Sequence, residues 1–276
     1  MISTRHIVTL ENYLNPYYIT GFSDAESCFH IVVAKGLKCR TGWEVQAKFE
    51  IHLHKKDRAL LELIKVSLGG IGKIYSHDDY ILYRVRTIED LKVLIDHFDK
   101  YPLLSQKQAD FLLFKRVVEI LKDKSHLTAD GLTKIVSIKA AMNKGLCDNL
   151  RESFPNITPV SRPVVNLSTI PDPHWLAGFA EGDGCVYVAI QKSSSYKINY
   201  RSSLKFQITQ HTRDAELLKS IIEYLGCGRH VPCLDLDHGN FIVERFSDIH
   251  DKIIPFFDKY PFKGAKTPRQ IIFWFR

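Results

Sequence analysis

Two carboxylates, Glu26 and Asp183, occupy matched places in two stretches of nearly the same wording. Residues 16–29 read PYYITGFSDAESCF and residues 173–186 read PHWLAGFAEGDGCV. Aligned on Gly21 and Gly178 the offset is 178 − 21 = 157, and at that offset Glu26 falls opposite Asp183. Each stretch reads as a helix that ends in its carboxylate and runs into a strand. One copy would be an ordinary helix–strand junction. Two copies imply a duplicated chain with a pseudo-two-fold axis, and an axis of that kind can set two acids side by side.

The repeat extends well past the motif. Lys48-Phe49-Glu50-Ile51 precedes Lys205-Phe206-Gln207-Ile208 by 157 positions, and the same offset pairs Asp57 with Asp214, Leu60 with Leu217 and Gly69 with Gly226. Phe98-Asp99-Lys100-Tyr101-Pro102 matches Phe257-Asp258-Lys259-Tyr260-Pro261 at 257 − 98 = 159. A drift of two residues implies small loop insertions. The first half continues with helical material to Leu150. The second half therefore reads as truncated at its C-terminus, or the first as carrying an added segment.

The elements that must position these acids follow from periodicity. Pro16 before an apolar run is a helix-start signal, and the helix from about Tyr17 to Glu26 carries Gly21 and Ala25 at i and i+4. Gly178 and Gly182 hold the same places in the second copy. Small residues at that spacing let another backbone come close, so the two motif helices are expected to pack on each other. Trp43–His54 then alternates, with Val45, Ala47, Phe49, Ile51 and Leu53 on one face and Glu44, Gln46, Lys48, Glu50, His52 and His54 on the other. Tyr200–His211 repeats the pattern. Period-two alternation marks a sheet with one buried and one wet face. A helix over Asp57–Leu68, a hairpin over Ile71–Arg86 turning at Asp78-Asp79, and a helix through Leu91, Leu94, Ile95 and Phe98 complete each half as αββαββα. The class is α+β, with residues 1–150 as one half-domain, 151–172 as a linker rich in Pro, Ser and Asn, and 173–276 as the second half-domain.

Composition narrows the function. The chain has 276 residues, 45% of them hydrophobic, and a formal charge of +7. The excess of positive charge favours a polyanionic partner over a pocket for acidic substrates. Six scattered cysteines contain no C-x-x-C pair, and Cys227, His230 and Cys233 lack a second ligand pair, which argues against zinc and for a reduced compartment. No apolar run is long enough to span a bilayer, so no membrane is expected. The N-terminal residues MISTRHIVTLENY read as neither a secretory signal nor a transit peptide. The wet sheet faces mix Gln, Ser, Thr, Glu and His with Lys and Arg. Base-edge reading needs such matched donors and acceptors, and a two-stranded ribbon fits the B-DNA major groove.

YITGFSDAES and WLAGFAEGDG resemble the two signatures of a single-chain LAGLIDADG homing endonuclease. The FDKYPL and FDKYPF segments, the FQITQHTRD run and the MNKGL stretch at Met142–Leu146 are similar to its fungal mitochondrial, intron-encoded branch. The resemblance covers essentially the whole chain. It implies that each half is a four-stranded antiparallel saddle on the DNA major groove, with the motif helices packed at the centre. It implies a monomer that makes a double-strand break in a long asymmetric target, in support of intron homing. The implied location is mitochondrial.

The resemblance also assigns roles. Glu26 and Asp183, with the backbone carbonyls of Ala25 and Gly182, would each hold Mg²⁺ against a scissile phosphate; Mn²⁺ or Ca²⁺ would be accepted in its place. Gln210 matches a glutamine that holds solvent near the phosphate. Its phase agrees, since it shares a face with Leu204, Phe206 and Ile208, and its counterpart at 210 − 157 = 53 is Leu53. Lys107 and Lys266 match lysines that stabilise charge on the phosphate. Direct readout falls to His30, Gln46, Lys48, Glu50, Arg84 and Arg86 in the first half. In the second it falls to Tyr187, Gln191, Arg201, Ser203, Lys205, Gln207 and Thr209. Ser27 stands where the motif has glycine, which predicts strain in the turn after Glu26. Alternative readings on the same scaffold are an RNA-splicing maturase, with intron RNA as partner, and a DNA-binding protein without catalysis.

Overall fold

The computed structural model describes residues 13–165, 169–195, 197–233 and 236–265. The order of elements is α1 (Pro16–Glu26), β1 (Ser27–Lys35), β2 (Trp43–His54), α2 (Arg58–Ser67), β3 (Lys73–Ser76), β4 (Tyr80–Val85), α3 (Ile88–Lys100), α4 (Lys107–Lys122), α5 (Ala129–Ala140) and α6 (Asp148–Ser153). There follow α7 (Pro173–Asp183), β5 (Gly184–Lys192), β6 (Tyr200–His211), α8 (Ala215–Leu225), β7 (Arg229–Pro232), β8 (His238–Val243), α9 (Phe246–Asp248) and α10 (Ile254–Lys259). The duplicated αββαββα order is the one expected. Among the described residues no helix is long and apolar enough to cross a membrane.

The chain divides into two compact units that are interleaved along the sequence. The first comprises residues up to Ile19, Ser27–Tyr101 and Asp110–Pro163; the second comprises Thr20–Glu26, Pro102–Ala109 and the residues from Val164 on. The second half of α1 and the start of α4 thus group with the later part of the chain.

In the first unit the sheet runs β1-β2-β4-β3, all antiparallel. Its inner face packs on α3 and α4 around Phe29, whose ring centroid lies 5.3 Å from Phe49, 5.7 Å from Phe98, 5.5 Å from Phe111 and 5.2 Å from Phe114. Rings at such offsets add specific attraction to the area they bury. Thr87 starts α3 by accepting from the amide of Asp90 at 3.2 Å, with Glu89 and Asp90 in the first turn to suit the helix dipole.

The segment expected as a linker begins inside a helix, because α6 runs through Ser153. Arg162, further along it, forms a two-pronged ion pair with buried Asp110, at 2.8 Å from Nη1 to Oδ1 and 2.9 Å from Nη2 to Oδ2.

In the second unit the sheet repeats the order as β5-β6-β8-β7. Phe206 packs edge-on against Phe241 and Phe257, and Leu217, Leu218 and Ile221 of α8 close the inner face. Asp172 caps α7 by accepting from the amide of His174 at 2.8 Å, and Pro173 takes the first helical position. The strain expected at Ser27 is absent. Ser27 opens β1 and is not among the residues of positive φ, which besides glycines are Lys124, Asn143 and Asn199 among the described residues. Its counterpart Gly184 is also extended, at φ −79°, but a Cβ there would lie 2.4 Å from the carbonyl oxygen of Ala180. The second motif needs glycine for room, not for its dihedral.

Candidate active site and sheet faces

Within the second unit, the end of α1 packs against α7 at backbone distance. A Cβ on Gly21 would lie 1.9 Å from the carbonyl oxygen of Trp175 and 3.0 Å from the amide nitrogen of Phe179. One turn on, a Cβ on Gly182 would lie 2.3 Å from Cβ of Ala25 and 3.0 Å from Cγ of Glu26. The expected close approach of the two motif helices is therefore present, and it is made at the small residues. The helices end at Glu26 and Asp183, so both carboxylates stand at the carbonyl-rich ends of abutting helices. Those ends carry partial negative charge and favour a cation.

A cleft of about 460 Å³ opens at this junction, lined among others by Ala25, Lys107, Asp183, Gln210, Arg213 and Asp214. Glu26 is not among its lining residues. The side-chain amide of Gln210 donates to Oδ2 of Asp183, as the inward phase of Gln210 on β6 allows. The Lys107 ammonium donates to the carbonyl of Ser23 at 2.9 Å and to that of Ala25 at 3.2 Å. Four of the expected site residues, Ala25, Lys107, Asp183 and Gln210, are thus brought to one cleft, whereas Glu26 and Gly182 are not among the residues that line it. Lys266 lies outside the described residues.

Sequence reading missed a second pair of acids, Asp24 and Glu181, which share the offset 181 − 24 = 157. Both are buried and both bind backbone. Asp24 accepts from the amides of Leu104 at 2.9 Å and Ser105 at 3.1 Å, from Oγ of Ser105 at 2.6 Å and from the Trp175 indole at 2.8 Å. Glu181 accepts from the amides of Lys263, at 3.0 Å, and Gly264. Asp214 completes the first set by accepting from the amide of Gln106 at 2.7 Å. Asp24 and Asp214 therefore fix the segment 104–106 that leads into α4, and with it the base of Lys107. Burial raises the pKa of both carboxyls above the usual range, against the lowering effect of these hydrogen bonds. The matched offset was the available signal.

The readout candidates lie on the wet sheet faces as their alternation requires. In the first unit His30 pairs with Lys48, Val32 with Gln46 and Glu50 with Arg84, so these side chains share one face. Arg86 is exposed just past the end of β4. Glu50, however, is only 7% exposed and accepts from Nε of Arg84, with the Nε2 atoms of His30 and His52 each 3.6 Å from its Oε2. Burial pushes its pKa up, but the hydrogen bond and charge of Arg84, together with His30 and His52, outweigh that and hold it below the usual range.

In the second unit Tyr187 pairs with Lys205 and Gln191 with Arg201, and Ser203 shares their face. The Tyr187 hydroxyl donates to Gln207 at 3.0 Å, and Gln207 donates to Thr209 at 3.0 Å and to Asn240 at 2.9 Å. Thr209 donates to Asn240 at 2.7 Å. Asn240 joins this polar network from β8, where sequence reading had placed no one.

An α+β chain of two repeated four-stranded sheets, with paired helix-end carboxylates, is the architecture of a duplicated endonuclease fold. The family model for the LAGLIDADG endonuclease matches residues 19–118 and again 176–274, and the chain belongs to that family. Probable intron-encoded endonuclease 3 of Neurospora crassa is 41% identical over 256 residues, covering 92% of this chain and 48% of that protein. Probable intron-encoded endonuclease 2 of the same organism is 38% identical over 266 residues, covering 92% and 57%. The chain thus spans about half the length of the curated relatives it matches. Among solved structures, the I-SmaMI LAGLIDADG homing endonuclease bound to cleaved DNA is similar with a TM-score of 0.88 at 47% identity, covering 92% of this chain and 85% of that one. The LAGLIDADG homing endonuclease I-GzeII in complex with its DNA target gives 0.84 at 39% identity, covering 92% and 86%.

Proposed function

We propose that this chain is a site-specific DNA endonuclease that makes a double-strand break in a long asymmetric duplex by Mg²⁺-dependent phosphodiester hydrolysis. The observation that carries the reading is the abutment of two helix ends, each closing on a carboxylate, Glu26 and Asp183, beside a cleft that also holds Lys107 and Gln210. Family membership supports the nuclease reading, and two similar structures were solved with DNA bound.

The donor set suits a hard divalent cation. Carboxylate and carbonyl oxygens converge at two negative helix ends. The set fits Mg²⁺, which takes one or two carboxylates and leaves its other positions to water and phosphate oxygens. Glu26 and Asp183, with the carbonyls of Ala25 and Gly182, are the groups to hold it. When bound, the ion supplies Lewis acidity toward the phosphoryl oxygen and a nucleophilic hydroxide near neutral pH. A similar structure was obtained in the presence of calcium ions with its DNA uncleaved, which supports divalent-metal use.

The chain's own side chains do the rest. Gln210 orients the Asp183 carboxylate and keeps a second amide edge for solvent. Lys107, fixed over the end of α1, balances charge gathering on the phosphate. Lys266 takes the matching role for the other half. The two lysines replaced in a variant of the similar I-SmaMI stand 262 − 103 = 159 positions apart, the spacing of Lys107 and Lys266 (266 − 107 = 159). The wet faces read the duplex through unlike side chains, so the target is asymmetric. Intron-encoded fungal relatives support a mitochondrial origin and a part in intron homing.

The test is incubation with a library of duplexes and Mg²⁺, followed by sequencing of the cut ends. Site-specific breaks that vanish in Glu26→Gln and Asp183→Asn are expected. Selective binding with no cleavage in Mg²⁺ or Mn²⁺ overturns the nuclease reading.

A further inference from the structure

The wet face of the first sheet holds a cluster whose parts do different work. The register of β2 and β4 sets Glu50 directly opposite Arg84. Nε of Arg84 donates to Oε1 of Glu50, and the guanidinium carbon lies 5.4 Å from the centroid of the Tyr75 ring. One edge of the guanidinium is therefore held by a carboxylate and one face by an aromatic ring. Its two terminal nitrogens make no hydrogen bond to the described residues, and the side chain keeps 27% of its surface. Glu50 offers the reverse picture. One carboxylate oxygen is taken by Arg84, the other faces the rings of His30 and His52, and little of it meets solvent. It leaves a base edge little surface to contact.

We infer that Glu50 is a positioning residue that holds Arg84 for a two-pronged contact with a guanine in the major groove. The inference rests on the DNA reading proposed above and names one base within it. Arginine presented end-on through its two terminal nitrogens matches the O6 and N7 acceptors of guanine, and no other base edge in the major groove offers that pair. A flexible arginine would lose side-chain freedom on contact; one already clamped by Glu50 and Tyr75 has lost most of it beforehand. Charge-assisted pairing of this geometry is the strong and directional kind.

The second sheet has no such device at the equivalent place. Gln207 stands at 50 + 157 = 207, and its partner across the ladder is Ile242. The second sheet's own carboxylate–arginine pair lies elsewhere, between Glu244 and Arg229, so the guanine fixed through Glu50 belongs to the half-site of the first sheet.

The experiment is a binding selection from a randomised duplex library with the full chain, without divalent metal, for the wild type, Arg84→Ala, Arg84→Lys, Glu50→Gln and Tyr75→Leu. Melting temperatures are recorded alongside to show that each variant is folded. The wild type is expected to demand guanine at one position. Arg84→Ala loses that preference by on the order of tenfold to a hundredfold, and every other position keeps its profile. Arg84→Lys keeps overall affinity but not the guanine preference, because a point charge has no fork. Glu50→Gln relaxes the same position and no other, a result that loss of packing alone does not give. Tyr75→Leu relaxes it more weakly, and serves as the second readout should Glu50→Gln fold poorly. A selective wild type whose profile is unchanged in Arg84→Ala overturns this assignment and leaves the DNA reading standing. A folded Glu50→Gln with full guanine preference overturns the role of Glu50. A wild type that selects no duplex sequence overturns both readings together.

Discussion

The side-chain amide of Gln210 donates to the carboxylate of Asp183, and the position equivalent to Gln210 in the first repeat is Leu53. The two motif acids are therefore held differently. Asp183 has an amide from β6 fixing its orientation, whereas a leucine occupies the matching place on β2. Under the proposed metal-holding role of Asp183, removal of an outer partner of this sort commonly costs tenfold to a hundredfold in activity.

Gln210→Leu is thus expected to slow cleavage of one strand by about tenfold to a hundredfold and to leave the other within about twofold. A time course on a duplex labelled on each strand in turn reads the difference directly. Equal slowing of both strands would mean that Gln210 serves the whole site and not the Asp183 end.

The helix contact makes a second expectation. A methyl group on Gly21 would run into the carbonyl of Trp175, and one on Gly182 would run into Ala25 and Glu26. Backbone cannot yield as a side-chain end can, so Gly21→Ala should cost more than the roughly 1–3 kcal/mol usual for overpacking. Gly182→Ala should cost less stability but displace Glu26. Chemical denaturation measures the first. The second predicts a protein that still binds duplex and cuts it at least tenfold more slowly, and a Gly182→Ala variant with wild-type cleavage would refute it.

Much of this was legible in the residues themselves. The 157-residue offset exposed the repeat, the alternation of β2 and β6 assigned each side chain to its face, and the phase of Gln210 turned it inward. What alternation cannot supply is the partner across the ladder. Glu50 was read as a base reader because its face is wet, yet the strand opposite brings Arg84 onto it. Asp24 and Glu181 were passed over because their partners, residues 104–105 and 263–264, lie some eighty positions away. Arg162 fell in a stretch whose Pro and Ser content reads as a linker, and nothing local announces its partner 52 residues earlier.

His97 makes stability depend on pH. It sits on α3 against the rings of Phe98 and Tyr101, and burial pushes its pKa from 6.5 down to about 4. The folded chain therefore resists the proton that the unfolded chain accepts. The stability tied to neutral His97 is complete above pH 6.5 and is lost as pH falls from 6.5 toward 4. Across the whole window it amounts to roughly 3 kcal/mol, of which about 2 kcal/mol is gone at pH 5. Denaturant titrations at pH 7.5 and pH 5 should show a smaller pH difference for His97→Gln than for the wild type by about that amount. An unchanged difference would place the acid sensitivity elsewhere.

The ion pair between Arg162 and Asp110 holds together segments far apart in the sequence. Asp110 lies in the first turn of α4, almost wholly buried, and it also accepts from the amide of Asn143 at 3.0 Å. Arg162 further donates to the carbonyl of Ala141 at 3.0 Å. Asn143 in turn donates to the carbonyl of Phe29 on β1 at 2.9 Å. One guanidinium thus closes a network joining the extended segment after α6, the turn after α5, and β1. Removing it leaves a buried carboxylate without its counter-charge, which typically costs about 3–5 kcal/mol. Arg162→Ala should lose stability on that scale. Arg162→Lys should recover only part, since an ammonium cannot make the two parallel bonds. The double variant Arg162→Leu with Asp110→Asn should be less damaged than Arg162→Ala alone, because the orphaned charge is gone. Equal losses for Arg162→Ala and the double variant would show that the segment is held by packing and not by the ion pair.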